Sequence, residues 1–309
     1  MNVFHLPDAF VQSITDLYGA HGIAWLNAFP DHLARCAARW GLEFGPPYAS
    51  AYRFSYNYVT PVQRTDGNPA VLKLGVPGGE LLHEMAALRA YDGRGAVRLL
   101  DADAEIGALL LEQVTPGTTL RTLTPDEDDA ATMHAAHVMT TLWRTPPDDH
   151  AFPTVAQWAA GLQRLRLRYA GGTGPMPRTL VERAESLFHE LLDNTEPSYL
   201  LHGDLHHENI LAAARAPYLA IDPKGVIGEA AYETGAFLRN PVPDIGAWSD
   251  LHHRLARRVD ILAEQLGLDH RRIIGYGLAH AVLSAWWSLE EHGEPDPLAL
   301  RIAATFAEF

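Results

Sequence analysis

Cysteine is nearly absent from this 309-residue chain; Cys36 is the single one. One thiol can form neither an intramolecular disulfide nor a multi-cysteine metal centre, so a reducing, cytoplasmic setting is expected. Cys36 sits in an amphipathic segment and reads as a core residue. Basic residues are also in deficit. Lys and Arg number 24 against 38 Asp and Glu, which leaves a net charge of −14. Nucleic acid, whose phosphates want Lys and Arg, is a poor partner for such a chain. The acidic excess aids solubility and is compatible with a cationic small molecule. No apolar run approaches the ~20 residues of a membrane helix. The first residues lack a basic segment leading into an apolar one, so neither a membrane partner nor a signal peptide is expected. No internal repeat is visible.

What is present is concentrated in one stretch. Leu200-Leu201-His202-Gly203-Asp204-Leu205-His206-His207-Glu208-Asn209-Ile210-Leu211 is followed by Leu219-Ala220-Ile221-Asp222-Pro223. A loop aspartate, an asparagine five residues on, and a second aspartate ending a short apolar run have the layout of a phosphoryl-transfer site. One carboxylate orients and accepts the proton of an attacking hydroxyl. An amide oxygen and the second carboxylate hold Mg²⁺ on nucleotide phosphates. Asp204 is the expected base, and Asn209 and Asp222 are the expected metal ligands. Each could instead be a plain turn or cap residue.

Apolar content is 47%, and the length allows one large domain or two lobes with sizeable cores. Helical spacing over 7–40 predicts one or two opening helices, broken at 41–47. Residues 51–59 and 70–74 read as strands around a Thr65-Asp66-Gly67-Asn68 turn. A helix over 80–91 and strands over 96–101 and 106–114 complete a β-rich first part. Helices are expected near 125–143, 154–169, 177–194, 230–238, 247–267, 269–291 and 296–307, with short strands flanking the loop at 200–222.

His-Gly-Asp-x-x-x-x-Asn followed by an apolar strand ending in Asp resembles the catalytic loop of small-molecule kinases related to protein kinases. Gly203 in place of Arg is similar to the aminoglycoside phosphotransferase branch. Within it, Leu201–Ile210, Ile221–Glu229 and Gly93–Leu100 resemble the streptomycin 6-kinase / hydroxyurea-resistance kinase family, over about residues 50 to 290. The resemblance implies an α+β, bilobal protein-kinase-like fold. Its N-lobe would span 1–113, with a five-stranded antiparallel sheet, and its helical C-lobe 114–309. It implies ATP and Mg²⁺ as cofactors, with GTP left open, and a small-molecule acceptor such as an aminoglycoside. The resemblance leaves monomer and homodimer both open.

Lys73, ending Ala-Val-Leu-Lys, would hold the α- and β-phosphates. Glu84 on the following helix is its expected partner by resemblance, with Glu80 the rival. No Gly-x-Gly-x-x-Gly is present; Ser55 and Asn57 stand where the family offers side chains to phosphate, or else lie in a plain strand. By resemblance, Glu112 and Val114 fall at the hinge whose backbone would bond the adenine edge. After Asp222 the chain departs from Asp-Phe-Gly, and Pro223 should stiffen it against an activation-loop switch. His202, His206 and His207 admit a transition-metal reading; the expected reading is that His202 braces the loop through hydrogen bonds, with His206 or His207 near phosphate or substrate. His207, Glu229, Glu233, Trp286 and Glu290 are the candidate acceptor-binding residues. Carboxylates pair with guanidinium or amino groups, and an indole face takes a cation or a sugar ring. Other acceptors, a non-catalytic nucleotide-binding protein and a metal-dependent hydrolase remain as alternatives.

Overall fold

A computed structural model describes residues 6–44, 56–193 and 196–309. The chain divides into two compact units. Residues up to Gly93 with Val97–Val114 form the first, and Arg94–Ala96 with Thr115–Phe309 the second.

In the first unit, α1 (Asp8–Asn27, broken at Gly19) and α2 (Phe29–Trp40) place Phe10, Ile14, Trp25, Phe29, Leu33 and Cys36 on one shared core. Burial pushes the Cys36 thiol up to about 12, as suits a packed, unreactive residue. Gly41 ends α2 in a left-handed conformation, and the chain reverses into β1 (Leu42–Phe44). Three residues are too few to show periodicity, so this strand was expected only as a break. β2 (Asn57–Arg64) and β3 (Pro69–Gly75) form the hairpin. β2 runs past the expected Val59 to Arg64, pairing with β3 through Gln63 and with Pro61 opposite Val71. α3 (Gly79–Tyr91), β4 (Leu99–Asp103) and β5 (Ala108–Glu112) complete an antiparallel sheet of order β1-β2-β3-β5-β4. The predicted strand at 96–101 starts only at Leu99. Ala96 instead bridges to Ala220 in the second unit.

The second unit begins with β6 (Pro116–Thr119) and continues with α4 (Asp128–Leu142). The single helix expected over 154–169 is two, α5 (Val155–Ala159) and α6 (Gly161–Arg168). The break falls at Ala160, and α6 opens on Gly161, where a methyl group would sit 3.0 Å from Leu283 and Trp286 atoms. α7 (Arg178–Leu192) leads into β7 (Ser198–Leu201), β8 (Ile210–Ala213), β9 (Tyr218–Ala220) and β10 (Val226–Glu229). Two small sheets result, β10-β7 and β6-β8-β9. α8 (Thr234–Leu238), α9 (Leu251–Leu266), α10 (His270–His292) and α11 (Pro297–Phe306) close the unit. The 230–238 helix begins as a 3₁₀ turn over Ala230–Glu233. Helix α10 is buried on nearly every face from Ile273 to Leu289, as a central helix must be. Its neighbours include α7, α8, α9 and α11. Among the described residues no helix is long and apolar enough to cross a membrane.

Candidate active site

The loop 202–209 is strung between β7 and β8, which belong to different sheets. Strand pairing alone therefore cannot fix it, and side chains do so. Gly203 has φ +84°, the left-handed region that a side chain resists, and a methyl group there would lie 2.8 Å from Trp158. Glu233, in the 3₁₀ turn, accepts the backbone N–H of His202 at 2.6 Å and of Gly203 at 2.9 Å. The His202 ring gives a third anchor. Its Nε2–H donates to the Ile221 carbonyl at 2.8 Å, and its Nδ1 accepts the Asp204 N–H at 3.2 Å. Both roles require the neutral imidazole, and burial lowers the ring to about 4. The His202 carbonyl accepts Lys224 and Gly225 N–H. Thus Pro223, Lys224 and Gly225 are all that separate Asp222 from β10, and two of the three are tied to the loop. Asp222 itself has φ +60°, which Asp tolerates better than most residues.

Asn209 donates its amide to the Asp204 carbonyl at 2.9 Å, and its own carbonyl accepts the Ile221 N–H at 2.9 Å. The amide nitrogen is occupied in this way, which presents Asn209 Oδ1 as an oxygen donor. Asp222 supplies an anionic oxygen close enough to His202 and His206 to act on both electrostatically. A neutral and an anionic oxygen form a hard donor set that suits Mg²⁺. Among the described residues no group of three or more His, Cys, Asp and Glu is arranged for a metal ion. The three loop histidines have other tasks. His206 Nδ1 accepts the Glu208 N–H. His207 is fully buried, stacks on Phe237 at 4.2 Å and accepts from Arg258.

Asp204 is about one-quarter exposed. Burial acts to raise its carboxyl, but His206, Arg239, Lys224 and His202 outweigh that and leave it below the usual carboxylate value. Burial depresses both imidazoles, so Arg239 and Lys224 are the charges that keep Asp204 ionised near neutrality. Arg239 Nη2 stands 3.5 Å from Asp204 Oδ1. Arg239 was not singled out in the sequence, since nothing in Phe-Leu-Arg-Asn marks it as facing a residue 35 positions earlier.

Two ion-pair clusters brace the loop from outside. Arg258, fully buried, makes a two-pronged pair with Asp128 at 2.6 and 2.9 Å and donates to the Asn240 carbonyl. Its guanidinium lies over the rings of Phe237 and Trp248. Arg121 joins Asp244 to Glu208. Sequence reading missed both, because each joins residues about a hundred positions apart that carry no local motif.

The candidate acceptor residues are placed as follows. Glu229 pairs with Arg272, Glu290 with Arg164 at 2.8 Å, and Glu233 with the loop backbone. Trp286 is 1% exposed. In the first unit, Lys73 Nζ lies 2.7 Å from both Glu84 oxygens, and both side chains are buried. Glu80, in the first turn of α3, is not the partner seen in that pair. Asn57 opens β2 opposite Gly75. Glu112 ends β5 beside Arg98 at 3.6 Å, and Val114 is half-buried just beyond. Ser55 lies outside the described residues.

Residues 49–292 match the aminoglycoside/hydroxyurea antibiotic resistance kinase family. The chain is 33% identical to a streptomycin 6-kinase of Streptomyces griseus over 290 residues, covering 93% of this chain and 92% of the relative. It is equally identical, at 33% over 301 residues, to a hydroxyurea phosphotransferase of Kitasatospora aureofaciens, with 94% and 82% covered. Its fold is that of the aminoglycoside phosphotransferase APH(4)-Ia crystal structure, with a TM-score of 0.62, 13% identity, and 90% and 97% of the two chains covered. That fold is protein-kinase-like, with a β-sheet N-terminal part and a mainly helical remainder. The chain belongs to the aminoglycoside/hydroxyurea antibiotic resistance kinase family.

Proposed function

We propose that this protein transfers the γ-phosphoryl group of ATP, with Mg²⁺, to a hydroxyl of a small molecule, foremost an aminoglycoside such as streptomycin. The observation that carries this reading is Asp204, with Arg239 3.5 Å from its carboxylate, on a loop pinned by Glu233, His202 and Asn209. A carboxylate held that way can align a hydroxyl and take its proton as the oxygen attacks phosphorus. Positioning outweighs basicity, because the transition state is loose. Arg239 beside it supports Asp204 in its charged form and offers a guanidinium to phosphate oxygens. Lys73, held by Glu84, is the cation for the nucleotide's phosphates. Asn209 and Asp222 would hold Mg²⁺, which when bound neutralises phosphate charge.

Hydroxyurea is the second acceptor, on the strength of equal identity to its phosphotransferase. A coupled assay of ADP release with Mg-ATP and either streptomycin or hydroxyurea separates the two. Asp204→Ala is expected to lower kcat by ~10²–10⁴ with the fold intact. Full activity in that variant would remove Asp204 from the chemistry. Acceptor-independent ADP release from the wild type with both compounds would end the acceptor assignment.

A further inference from the structure

Arg239 is the exception among the arginines around the loop 202–209. Arg121, whose side chain is 20% exposed, makes three hydrogen bonds to carboxylates at 2.7, 2.8 and 2.9 Å. Arg258 grips Asp128 with two prongs and donates to the Asn240 carbonyl. The Arg239 side chain is as buried as that of Arg121, at 19% exposed, yet among the described residues its guanidinium makes one contact, 3.5 Å from Nη2 to Asp204 Oδ1. Its Nε is buried with no hydrogen-bond partner among those residues. A guanidinium has five N–H donors and no acceptor, so most of the bonding capacity here is unspent.

The backbone that carries this side chain is tied down. Arg239 caps the end of α8, and the next residue, Asn240, donates its N–H to the Phe237 carbonyl and its amide to the Ala236 carbonyl. Tyr232, His206 and His280 also feel the Arg239 charge, and burial holds all three uncharged near neutrality. Asp204 cannot be a lasting partner if it is the base, because a carboxylate that takes a proton must turn an oxygen to the hydroxyl that gives it. A largely buried cation with so little bonding calls for an anion that arrives with the substrates. The transferring phosphoryl group is such an anion. Its charge spreads over three equatorial oxygens in the transition state, and a planar guanidinium fork matches two of them.

We propose that Arg239 is a further catalytic residue, whose guanidinium passes from Asp204 to the phosphoryl group as that group is transferred. The proposal rests on the kinase reading above and gives Arg239 a place in the transfer step itself. The acceptor oxygen forms its bond to phosphorus, and its proton goes to Asp204. The bond from phosphorus to the bridging oxygen breaks, and ADP leaves with the electron pair. Arg239 keeps its proton throughout and exchanges one weak contact to the carboxylate for a two-pronged grip on phosphoryl oxygens. That contact to Asp204 is therefore a resting position, and the fork is used only when charge develops on the group in flight.

The test joins steady-state kinetics of the full chain, with Mg-ATP and streptomycin or hydroxyurea, to a binding titration. The titrant is ADP with and without aluminium fluoride, which beside ADP imitates the phosphoryl group in flight. Arg239→Lys keeps a cation and loses the fork, and Arg239→Ala loses both. Each should lower kcat by roughly 10²–10³ and leave the KM for ATP and for the acceptor within about threefold. Each should bind ADP alone as wild type does and lose most of the affinity that aluminium fluoride adds. Guanidinium chloride at low concentration should restore part of the activity of Arg239→Ala. The Asp204→Asn background separates a grip on phosphate from mere support of the Asp204 charge. With a grip, Arg239→Ala weakens the binding of ADP with aluminium fluoride in that background too. If that loss disappears there, or if Arg239→Lys keeps kcat within about threefold of wild type, Arg239 serves only to keep Asp204 charged, and the proposal falls while the kinase reading stands. Wild type that transfers phosphate to neither acceptor and gains no affinity from aluminium fluoride ends both.

Discussion

The loop 202–209 and the acidic residues downstream of it are built from the same kinds of side chain and put to opposite uses. In the loop, an aspartate is left about one-quarter exposed while its neighbours spend their hydrogen bonds holding the backbone. Downstream, the charges themselves are consumed. Glu229 meets Arg272, Glu290 meets Arg164, and Glu233 is buried under the loop it supports. The acidic count of a sequence thus overstates the charge available to a ligand. A carboxylate becomes functional where structure denies it a strong partner, and becomes a support where structure supplies one. The −14 balance is then mainly a matter of solubility and of the long-range field.

The strongest way to break that comparison is to remove a support that touches no substrate. Arg258→Met leaves Asp128 buried and unpaired and frees His207 from its donor. Breaking such a pair costs about 3–5 kcal/mol. In a domain of this size that is a fall in thermal midpoint on the order of 10 °C. Activity per folded molecule should fall as well, because His207 belongs to the loop. A midpoint within about 2 °C of wild type would show that the buried pair is no support.

Glu233 is the next test, and its sign can be worked out. Burial raises its carboxyl to about 7 against the two N–H donors that favour the charged form. A carboxyl with a raised folded value binds its proton more tightly when folded. Its contribution to stability is full below the unfolded value near 4.5 and is lost as pH rises to about 7. The amount is about 3 kcal/mol in the limit of that shift. Denaturant midpoints of Glu233→Gln should lack the part of the pH slope that wild type shows across this window. Activity has the opposite trend, since the ionised form grips His202 and Gly203. Wild-type kcat should decline below about pH 7, and the glutamine variant should be several-fold slower with that limb flattened. Identical pH slopes in the two proteins would return Glu233 to an ordinary buried acid.

Much of this was legible beforehand, for identifiable reasons. The helices and the β2–β3 hairpin follow from periodicity and a turn signal, both local properties. Asp204, Asn209 and Asp222 share a short window with fixed spacing, so the motif carries its own geometry. Lys73 and Glu84 were paired correctly because a strand followed directly by a helix brings them together. What escaped was short or distant. β1 is three residues long, and the 154–169 helix is interrupted at Ala160, just before Gly161 meets Trp286 and Leu283 of another helix. Arg239 facing Asp204 and the Arg258–Asp128 pair depend on the end of α8 meeting the loop and on α9 meeting α4, and no spacing rule encodes those meetings. Glu233 and Glu290 were grouped as substrate ligands since both are acidic and downstream. Only their partners separate them.

Glu290 gives the smallest effect and the sharpest use of it. Its side chain and that of Arg164 are 38% and 50% exposed, so solvent screens the pair, and the loss in Glu290→Gln should be within ~0.2–1 kcal/mol, a thermal shift of a few degrees at most. The informative quantity is the streptomycin KM. If arginine consumes this carboxylate, the KM changes by less than about twofold, and the variant responds to salt as wild type does. If the carboxylate instead serves a cationic acceptor, the KM rises about tenfold, as loss of a charge-assisted hydrogen bond requires, and the rise shrinks in high salt. The double variant Arg164→Gln/Glu290→Gln closes the argument. A pair that only supports itself leaves the double variant near the single one in acceptor KM, whereas a competition between Arg164 and substrate would make Arg164→Gln alone bind streptomycin more tightly than wild type.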